Sequence, residues 1–333
     1  MSNGSLLVIR LSAMGDIIHT LPAITTLKRS FSDQRIAWLV APRWMPLLVG
    51  NPFIDELIPL DRRNIGHARK TLRRVRALKA DIAFDFQGLF QSALVGRLAR
   101  PKALFGFSKS VAREPFASLL YTQRITVKGP HRVERAVQLA EAAGARQPSF
   151  EAWIPPGVAE GNLPDGPFVL TNPFAGWAGK EWPLPSYEAL GRLLNKEGIE
   201  LVVNVGQSRT ERLKLLKHVR LHSSSLSGLI DATRRATAVV GLDSGPLHLA
   251  AALGKPGVGL YGPTDPALTG PFGGSMTVLR AASVETTYKR HGEIHASMRE
   301  ITPEQVSEVL LHSIRSSVSR GSANAESHVV SRL

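Results

Sequence analysis

The stretch SAMGDIIHTLP at residues 12–22 follows the short apolar run LLVI at residues 6–9 after two intervening residues. The apolar run predicts a buried strand and the residues from Ile17 onward predict a helix, so Gly15 and Asp16 lie where the strand passes into the helix. In a parallel sheet such junctions gather at the carboxyl edge, where α/β folds bind ligands. Asp16 is therefore a candidate general base toward a substrate hydroxyl. The alternative is an acid that only stabilises the first helical turn.

A second junction lies at LDSGPLH, residues 242–248, after the apolar residues 238–241. Pro246 suits the first turn of a helix, and the backbone N–H groups of such a turn form a ready anion site. Asp243 and His248 flank that site, although a buried histidine bonded to a backbone carbonyl is the plainer interpretation of His248. One junction in each half predicts two α/β domains that face each other across a cleft, one for an anionic donor and one for a second substrate.

Strand and helix candidates alternate along both halves, which is typical of a parallel sheet with helices on both faces. Strands are predicted at residues 6–10, 36–40, 57–59, 81–86, 103–107, 168–171, 200–204, 238–242 and 258–261. Helices are predicted at residues 17–30, 65–78, 89–98, 132–143, 186–197, 210–219, 226–234, 246–253 and 303–316. A Pro- and Gly-rich segment at residues 153–167 marks a domain boundary. The sequence predicts domains over residues 1–155 and 165–316, with a last helix able to pack back on the first domain, and a disordered tail over residues 317–333.

The positive charge is concentrated in the first half of the chain. Residues 1–150 contain 23 Lys and Arg against 10 Asp and Glu, whereas residues 151–333 contain 18 against 17. The densest run extends from Arg62 to Lys79. Such a field favours a polyanionic partner, which could be a nucleic acid, an anionic membrane surface or a phosphorylated substrate. The alternative is a solvated helix face without a partner.

Several classes of protein are excluded by what the sequence lacks. The chain has no cysteine, which excludes disulfides, thiolate metal sites and cysteine nucleophiles. No apolar run approaches the length of a membrane-spanning helix. The run Leu6–Leu11 is short and broken by Arg10, so it predicts a strand rather than a signal peptide, and the expected location is the cytoplasm. The spacing around Gly15 is not Gly-x-Gly-x-x-Gly, which disfavours a dinucleotide site.

Two loops of the second half carry further candidates. Residues 172–183, NPFAGWAGKEWP, follow a predicted strand, and Lys180 is a candidate to neutralise a phosphate, although a lone lysine in a loop is usually only solvated. The loop lacks the Gly-Lys-Ser/Thr ending of a Walker A motif. Glu211 follows the next predicted strand, where an acid can accept hydrogen bonds from ribose hydroxyls or can simply cap a helix.

Four strings together resemble the heptosyltransferases of glycosyltransferase family 9, which have the GT-B fold. They are SAMGDIIHTLP at 12–22, KEWP at 180–183, DSGPLH at 243–248 and YGPTDP at 261–266. Within that family, three first-half strings resemble lipopolysaccharide heptosyltransferase I, namely DFQGLFQSA at 85–93, AREP at 112–115 and HRVER at 131–135. The resemblance implies inverting transfer of L-glycero-D-manno-heptose from ADP-heptose to a Kdo hydroxyl of Kdo-lipid A, in synthesis of the lipopolysaccharide inner core.

The resemblance also implies a role for individual residues. Asp16 would deprotonate the attacking Kdo hydroxyl, Lys180 would hold the diphosphate, Glu211 the ribose and Asp243 the heptose hydroxyls. The implied donor-binding residues are Lys180, Glu211, Asp243, Ser244, Gly245, His248, Ala175, Gly176 and Ser224. The implied acceptor-binding residues are Gly15, Arg62, Arg63, Gln87, Arg113 and Arg132. No metal or cofactor is implied, because ADP-heptose is a substrate.

The expected partners are ADP-heptose, Kdo-lipid A and the anionic inner face of the cytoplasmic membrane, on which the protein would be peripheral. One alternative is a heptosyltransferase of type II or one for another glycan acceptor. Others are a GT-B sugar-nucleotide epimerase and a basic nucleic-acid-binding protein without turnover, which would bind in a salt-sensitive way. Because no aromatic residues are interleaved with the basic run at residues 62–79, nucleic acid is not an expected partner.

Overall fold

The computed structural model describes residues 4–206, 213–282, 284–290 and 292–330, and it describes side chains up to Ser317. The chain divides into two compact units, Met1–Pro155 and Pro156–Leu333. The division falls inside the Pro- and Gly-rich segment at residues 153–167. The two units are called the first and the second unit below.

The first unit is built on a six-stranded parallel sheet. Its strands are β1 (Ser5–Ile9), β2 (Arg35–Val40), β3 (Glu56–Pro59), β4 (Ile82–Asp85), β5 (Ala103–Phe107) and β6 (Gln123–Ile125). Its α-helices are α1 (Met14–Ser30), α2 (Ile65–Ala77), α3 (Phe90–Ala99) and α4 (Arg132–Glu141), and 3₁₀ helices occupy Pro42–Leu47 and Pro115–Leu120. The strand order β3-β2-β1-β4-β5-β6 reverses direction between β1 and β4.

The second unit repeats this plan. Its strands are β7 (Phe168–Thr171), β8 (Glu200–Val205), β9 (Arg220–Ser223), β10 (Ala238–Leu242), β11 (Gly257–Tyr261) and β12 (Met276–Arg280). Its helices are α5 (Leu184–Lys196), α6 (Leu226–Arg235), α7 (Gly245–Ala252), α8 (Pro266–Thr269), α9 (Ala296–Glu300) and α10 (Pro303–Val330), with a 3₁₀ turn at Ala178–Lys180. The strand order β12-β11-β10-β7-β8-β9 reverses between β10 and β7.

The central strands are buried on both faces, which explains why their sequences are continuous apolar runs. Residues Leu6–Ile9 of β1 and Ala238–Leu242 of β10 have almost no exposed surface. Helix α1 is buried from Met14 to Leu27, so the segment that carries Asp16 is held on nearly all sides. This burial gives the residues at the ends of β1 and β10 fixed positions.

The three strands that the sequence did not predict all lie at an edge of their sheet. β6, β9 and β12 each pair on one side only, and their side chains are mostly exposed or half-buried. An edge strand needs no continuous apolar run, so its hydrophobic signal is weak.

Two further expectations differ from the structure. The described part of the predicted helix at 210–219, residues 213–219, forms turns rather than an α-helix. A disordered tail was predicted for residues 317–333, whereas helix α10 continues to Val330. No proline interrupts the chain between residues 317 and 330. The first turns of α10 join the core of the second unit through Val306 and Leu310.

Candidate active site

The candidate residues lie at the two places where strand order reverses. Asp16 follows β1 and Gln87 follows β4, and these two strands are neighbours in the first sheet. Lys180 follows β7 and Asp243 follows β10, which are neighbours in the second sheet. In open parallel sheets a crevice forms at this reversal, outside the carboxyl ends of the strands. Each unit therefore presents its chemistry-bearing side chains where its own fold opens a binding site.

Asp16 is buried and paired with two arginines. Its Oδ1 lies 2.8 Å from Nη2 of Arg10 and also pairs with Nη1 of Arg132. Its Oδ2 accepts a hydrogen bond of 3.3 Å from the backbone N–H of Ala13. Burial by itself raises the pKa of Asp16, but Arg10 and Arg132, with a smaller contribution from His19, outweigh it and hold this pKa well below its usual range. Asp16 is therefore a carboxylate at neutral pH.

The two arginines differ in how firmly they are held. The side chain of Arg10 is 8% exposed and its guanidinium also donates to the carbonyl of Phe86. The side chain of Arg132 is 43% exposed. Arg132 is the first residue of helix α4, and His131 is its N-cap. The Nδ1 atom of His131 accepts a hydrogen bond of 3.2 Å from the N–H of Val133. Arg10 is a fixed counter-ion, whereas Arg132 reaches Asp16 from a partly solvated position.

The loop before Asp16 is held by side chains that follow β4. Gln87 Oε1 accepts hydrogen bonds from the N–H groups of Leu11 at 2.7 Å and Ser12 at 3.3 Å. The N–H of Gln87 in turn donates to Oδ1 of Asp85 at 2.9 Å. Asp85 has no exposed surface, and its Oδ2 accepts from the hydroxyl of Tyr121 at 2.8 Å. The sequence analysis assigned Gln87 to acceptor binding, but it did not identify Asp85, which holds Gln87 in place.

A cavity of about 190 Å³ opens beside Asp16. Its polar lining consists of Arg10, Asp16, His19, Thr20, Gln87, Arg113, Arg132 and Arg135, and its apolar lining of Phe86, Phe107, Val111 and Ala136. Four arginines against one carboxylate make the cavity suited to an anionic ligand. The apolar side chains on its wall would accept the non-polar face of that ligand.

The structure brings together most of the residues predicted for the acceptor. Gln87, Arg113 and Arg132 line the cavity, and Gly15 is buried in the first turn of α1 next to Asp16. Arg62 and Arg63 do not line it: they lie in the exposed loop before α2, where Nη1 of Arg62 donates to Oε1 of Gln91 at 2.7 Å.

Three further ionisable side chains of the cavity lining, Arg10, His19 and Arg135, were not predicted from the sequence. Arg135 could have been predicted, because it lies one helical turn after Arg132 and therefore shares its face of α4.

In the second unit, Asp243 is the centre of a buried polar cluster. Its Oδ2 lies 3.0 Å from Nζ of Lys180, and its Oδ1 lies 3.7 Å from Nε2 of His248. Thr269 also donates to Oδ1 at 3.2 Å. Burial raises the pKa of Asp243, but His248 and Lys180 outweigh it and hold this pKa well below its usual range. The cluster places a cationic ammonium group at the carboxyl edge of the second sheet.

Four other predicted donor residues, Ala175, Gly176, Ser244 and Gly245, follow β7 or β10 at the same edge, and Ser224 follows the edge strand β9. Ser244 is the N-cap residue of α7, and Gly245 begins that helix. Ala175 and Gly176 lie in the loop after β7, where a Cβ atom added at Gly176 would meet no atom within 4 Å. Ser224 follows β9, and its hydroxyl donates to Oδ1 of Asn204 at 3.1 Å. Glu211 lies outside the described residues.

Thr264, which follows β11 at this edge and is buried, was not predicted. The sequence indicated it only by its place in the YGPTDP string, three residues after Tyr261, where a predicted strand ends.

Comparisons with known proteins extend over both units. A model of glycosyltransferase family 9 (heptosyltransferase) matches residues 68–296. The chain is 32% identical over 299 residues to lipopolysaccharide heptosyltransferase 1 of Escherichia coli (strain K12), a match that covers 83% of this chain and 93% of the relative. Its fold matches the solved E. coli heptosyltransferase WaaC with ADP at a TM-score of 0.72 and 27% identity, covering 91% of this chain and 96% of that one.

A second solved structure, E. coli ADP-heptose lps heptosyltransferase II, matches at a TM-score of 0.77 and 26% identity, covering 94% of this chain and 99% of that one. The α/β class and the GT-B fold with two Rossmann-like domains, predicted from the sequence, are confirmed by these matches.

Proposed function

This chain belongs to glycosyltransferase family 9, and from that premise we propose that it transfers heptose from ADP-heptose to a Kdo hydroxyl of Kdo-lipid A. The transfer would invert the anomeric centre and would serve synthesis of the lipopolysaccharide inner core. The observation that carries the proposal is Asp16, a buried carboxylate that opens onto a cavity lined by four arginines.

The second unit supplies the features that an ADP-sugar donor requires. WaaC, with which this chain shares its fold, was solved with ADP. Lys180 and the N-terminus of α7 would meet the diphosphate, because a cation and free backbone N–H groups both attract phosphate oxygens. Asp243 would accept hydrogen bonds from heptose hydroxyls, and Glu211 from the ribose. Neutralising the diphosphate makes ADP a better leaving group, which lowers the barrier to transfer.

In the proposed reaction, Asp16 takes the proton of the attacking Kdo hydroxyl. The acceptor oxygen then forms a bond to the anomeric carbon while the bond from that carbon to the diphosphate oxygen breaks, and ADP leaves with the electron pair. Attack from the face opposite the diphosphate inverts the anomeric centre. General base assistance of this kind contributes about 10²- to 10⁴-fold to a rate.

The pairing of Asp16 with two arginines bears on its strength as a base. An acid with a strongly lowered pKa is a weak base, and the ideal catalytic pKa lies nearer the working pH. Since Arg132 is partly exposed, a carboxylate of the acceptor can draw its guanidinium away from Asp16. Losing one counter-ion raises the pKa of Asp16, so the bound acceptor would itself strengthen the base.

Kdo-lipid A fits the first unit by its charge. It carries carboxylate and phosphate groups, and the cavity beside Asp16 presents Arg10, Arg113, Arg132 and Arg135. The type I identity rests on the strings at residues 85–93, 112–115 and 131–135 and on the 32% identity to a type 1 enzyme. A type II enzyme is the second candidate, because the type II structure fits this fold with a TM-score of 0.77.

The proposed location is the inner face of the cytoplasmic membrane, where this lipid-linked acceptor is found. Within the described parts of the chain, no helix combines the length and hydrophobicity needed to cross a bilayer. We propose a peripheral enzyme that reaches its acceptor from the cytoplasm, because the proposed acceptor is anchored in that membrane.

A nucleotide screen tests the donor half of the proposal. We expect ADP to raise the melting temperature of the protein, whereas UDP, GDP and NAD leave it unchanged at equal concentration. A ligand present at 100 times its dissociation constant stabilises the folded state by about 2.7 kcal/mol, which a thermal shift detects readily. Stabilisation by UDP or GDP in place of ADP would contradict the assignment of the donor.

A further inference from the structure

The first unit exposes large apolar side chains on one side of helix α3. Phe90, Leu94 and Leu98 follow each other at helical spacing along α3, and all three are exposed. The 3₁₀ helix Pro115–Leu120 packs against α3 and adds Phe116 and Leu119, which are 72% and 64% exposed. We call the surface formed by these five residues the α3 patch. Exposed large apolar side chains that cluster in this way usually mark an interaction site.

The α3 patch is bordered by the most basic segment of the chain. Residues 62–80 contain eight Lys and Arg and no acid. Arg69, Arg73 and Arg76 share one face of α2, and Nε of Arg76 donates to the carbonyl of Leu98 at 2.7 Å. That bond places this face of α2 directly beside the C-terminal end of α3.

The segment of the chain that contains α3 is also poor in acids. Residues 86–113 contain five Lys and Arg and no Asp or Glu. The acid that follows, Glu114, accepts a hydrogen bond of 2.7 Å from the N–H of Phe90 and so helps to fix the start of α3. The apolar side chains of α3 therefore lie in a basic segment of the chain and beside the basic face of α2.

We propose that the α3 patch is a docking surface for an anionic lipid bilayer, with Phe116 and Leu119 entering the interface and the arginines of α2 resting on the headgroups. The choice of partner follows from charge complementarity. Apolar side chains gain from entering the acyl boundary, and each basic residue near an anionic surface adds about fivefold to the affinity. The inference deepens the proposed function, which places the acceptor in a bilayer, but it does not depend on the donor or on turnover.

Cosedimentation with vesicles tests the docking surface. The vesicles contain phosphatidylcholine alone or phosphatidylcholine with phosphatidylglycerol, and neither kind contains the acceptor. We expect the native protein to bind only the anionic vesicles. Exchanging Phe116→Ser together with Leu119→Ser should lower that binding about tenfold or more at every salt concentration, because the lost contribution is apolar.

Exchanging Arg69→Gln together with Arg73→Gln should lower binding about thirtyfold at low salt and far less at high salt, because salt screens the headgroup charge. Leu215→Ser is the matched control, since Leu215 is 85% exposed in the second unit and should leave binding unchanged. A Phe116→Trp variant gives a second readout: its emission should shift to the blue with anionic vesicles only, and that of Leu215→Trp should not.

Two results would overturn the docking surface. One is unchanged vesicle binding of the Phe116→Ser, Leu119→Ser protein together with an unshifted Phe116→Trp emission. The other is a concentration-dependent dimer that this double exchange dissolves, since the α3 patch would then be covered by a second copy of the chain. Because the vesicles lack acceptor and donor, either result leaves the proposed transferase activity to be judged by its own assays.

Discussion

Exchanging Asp16 for asparagine is expected to lower the rate of heptose transfer by about 10²- to 10⁴-fold, because the amide cannot take the proton of the attacking hydroxyl. The geometry of the site should change little, since an asparagine oxygen can still accept the hydrogen bond from Ala13. The KM for the donor should be unaffected, because the donor residues belong to the second unit. The measurement is steady-state transfer with both substrates varied.

Loss of stability is the competing explanation for a slow Asp16→Asn protein, since Arg10 is buried and loses its partner. Urea unfolding followed by tryptophan emission separates the two, because Nε1 of Trp38 donates to the carbonyl of Arg10 at 3.1 Å and reports on this region. Asp81→Asn is the matched control: Asp81 pairs with exposed Lys102 in the same unit, and such a surface pair contributes little. Near-normal turnover of a folded Asp16→Asn protein would remove Asp16 from the role of base.

Exchanging Lys180 for alanine is expected to weaken the binding of ADP by roughly 10- to 100-fold and that of adenosine far less. A hydrogen bond between charged groups contributes about 1.5–3 kcal/mol, and adenosine lacks the phosphates that the ammonium group would contact. The exchange also leaves Asp243 without its 3.0 Å partner, but His248 and Thr269 still face that carboxylate. Calorimetric titration with the two ligands measures the difference.

Glu211→Ala serves as the contrasting variant in the same titrations. Its expected partner is the ribose, which both ligands carry, so ADP and adenosine should lose affinity to a similar degree. Lys196→Ala is the control at the surface of α5 and should change neither affinity. Equal losses of ADP and adenosine in Lys180→Ala would contradict the assignment of Lys180 to the diphosphate.

The sequence predicted the central strands of both sheets and one edge strand, β3, and it left out the other three edge strands. β1, β4, β7 and β10 were found because a parallel strand covered on both faces must be apolar along its length. β6, β9 and β12 were missed because an edge strand keeps polar side chains and shows no comparable run. The sequence did not predict the strand order, so the reversal points of the two sheets come from the structure alone.

The candidate site was predicted where residues lie close to a strand end, and it was incomplete where they do not. Asp16, Lys180 and Asp243 each follow a strand within a motif, so the sequence indicated their position. The sequence analysis treated Arg10 only as a break in an apolar run, although it forms the more buried of the two ion pairs of Asp16. Asp85 supports the site through Gln87, and no local pattern in the sequence indicates that chain of hydrogen bonds.

Mass spectrometry of acceptors after incubation with ADP-heptose measures the proposed heptose transfer to Kdo-lipid A. Two acceptors are compared under the same conditions: Kdo-lipid A, and Kdo-lipid A that already carries one heptose. We expect the native protein to add a single heptose to Kdo-lipid A and Asp16→Asn to add almost none in the same time. The acceptor that already carries heptose should stay unchanged. Addition to the heptose-bearing acceptor, with Kdo-lipid A left unmodified, would rule out the proposed acceptor and assign the chain to type II.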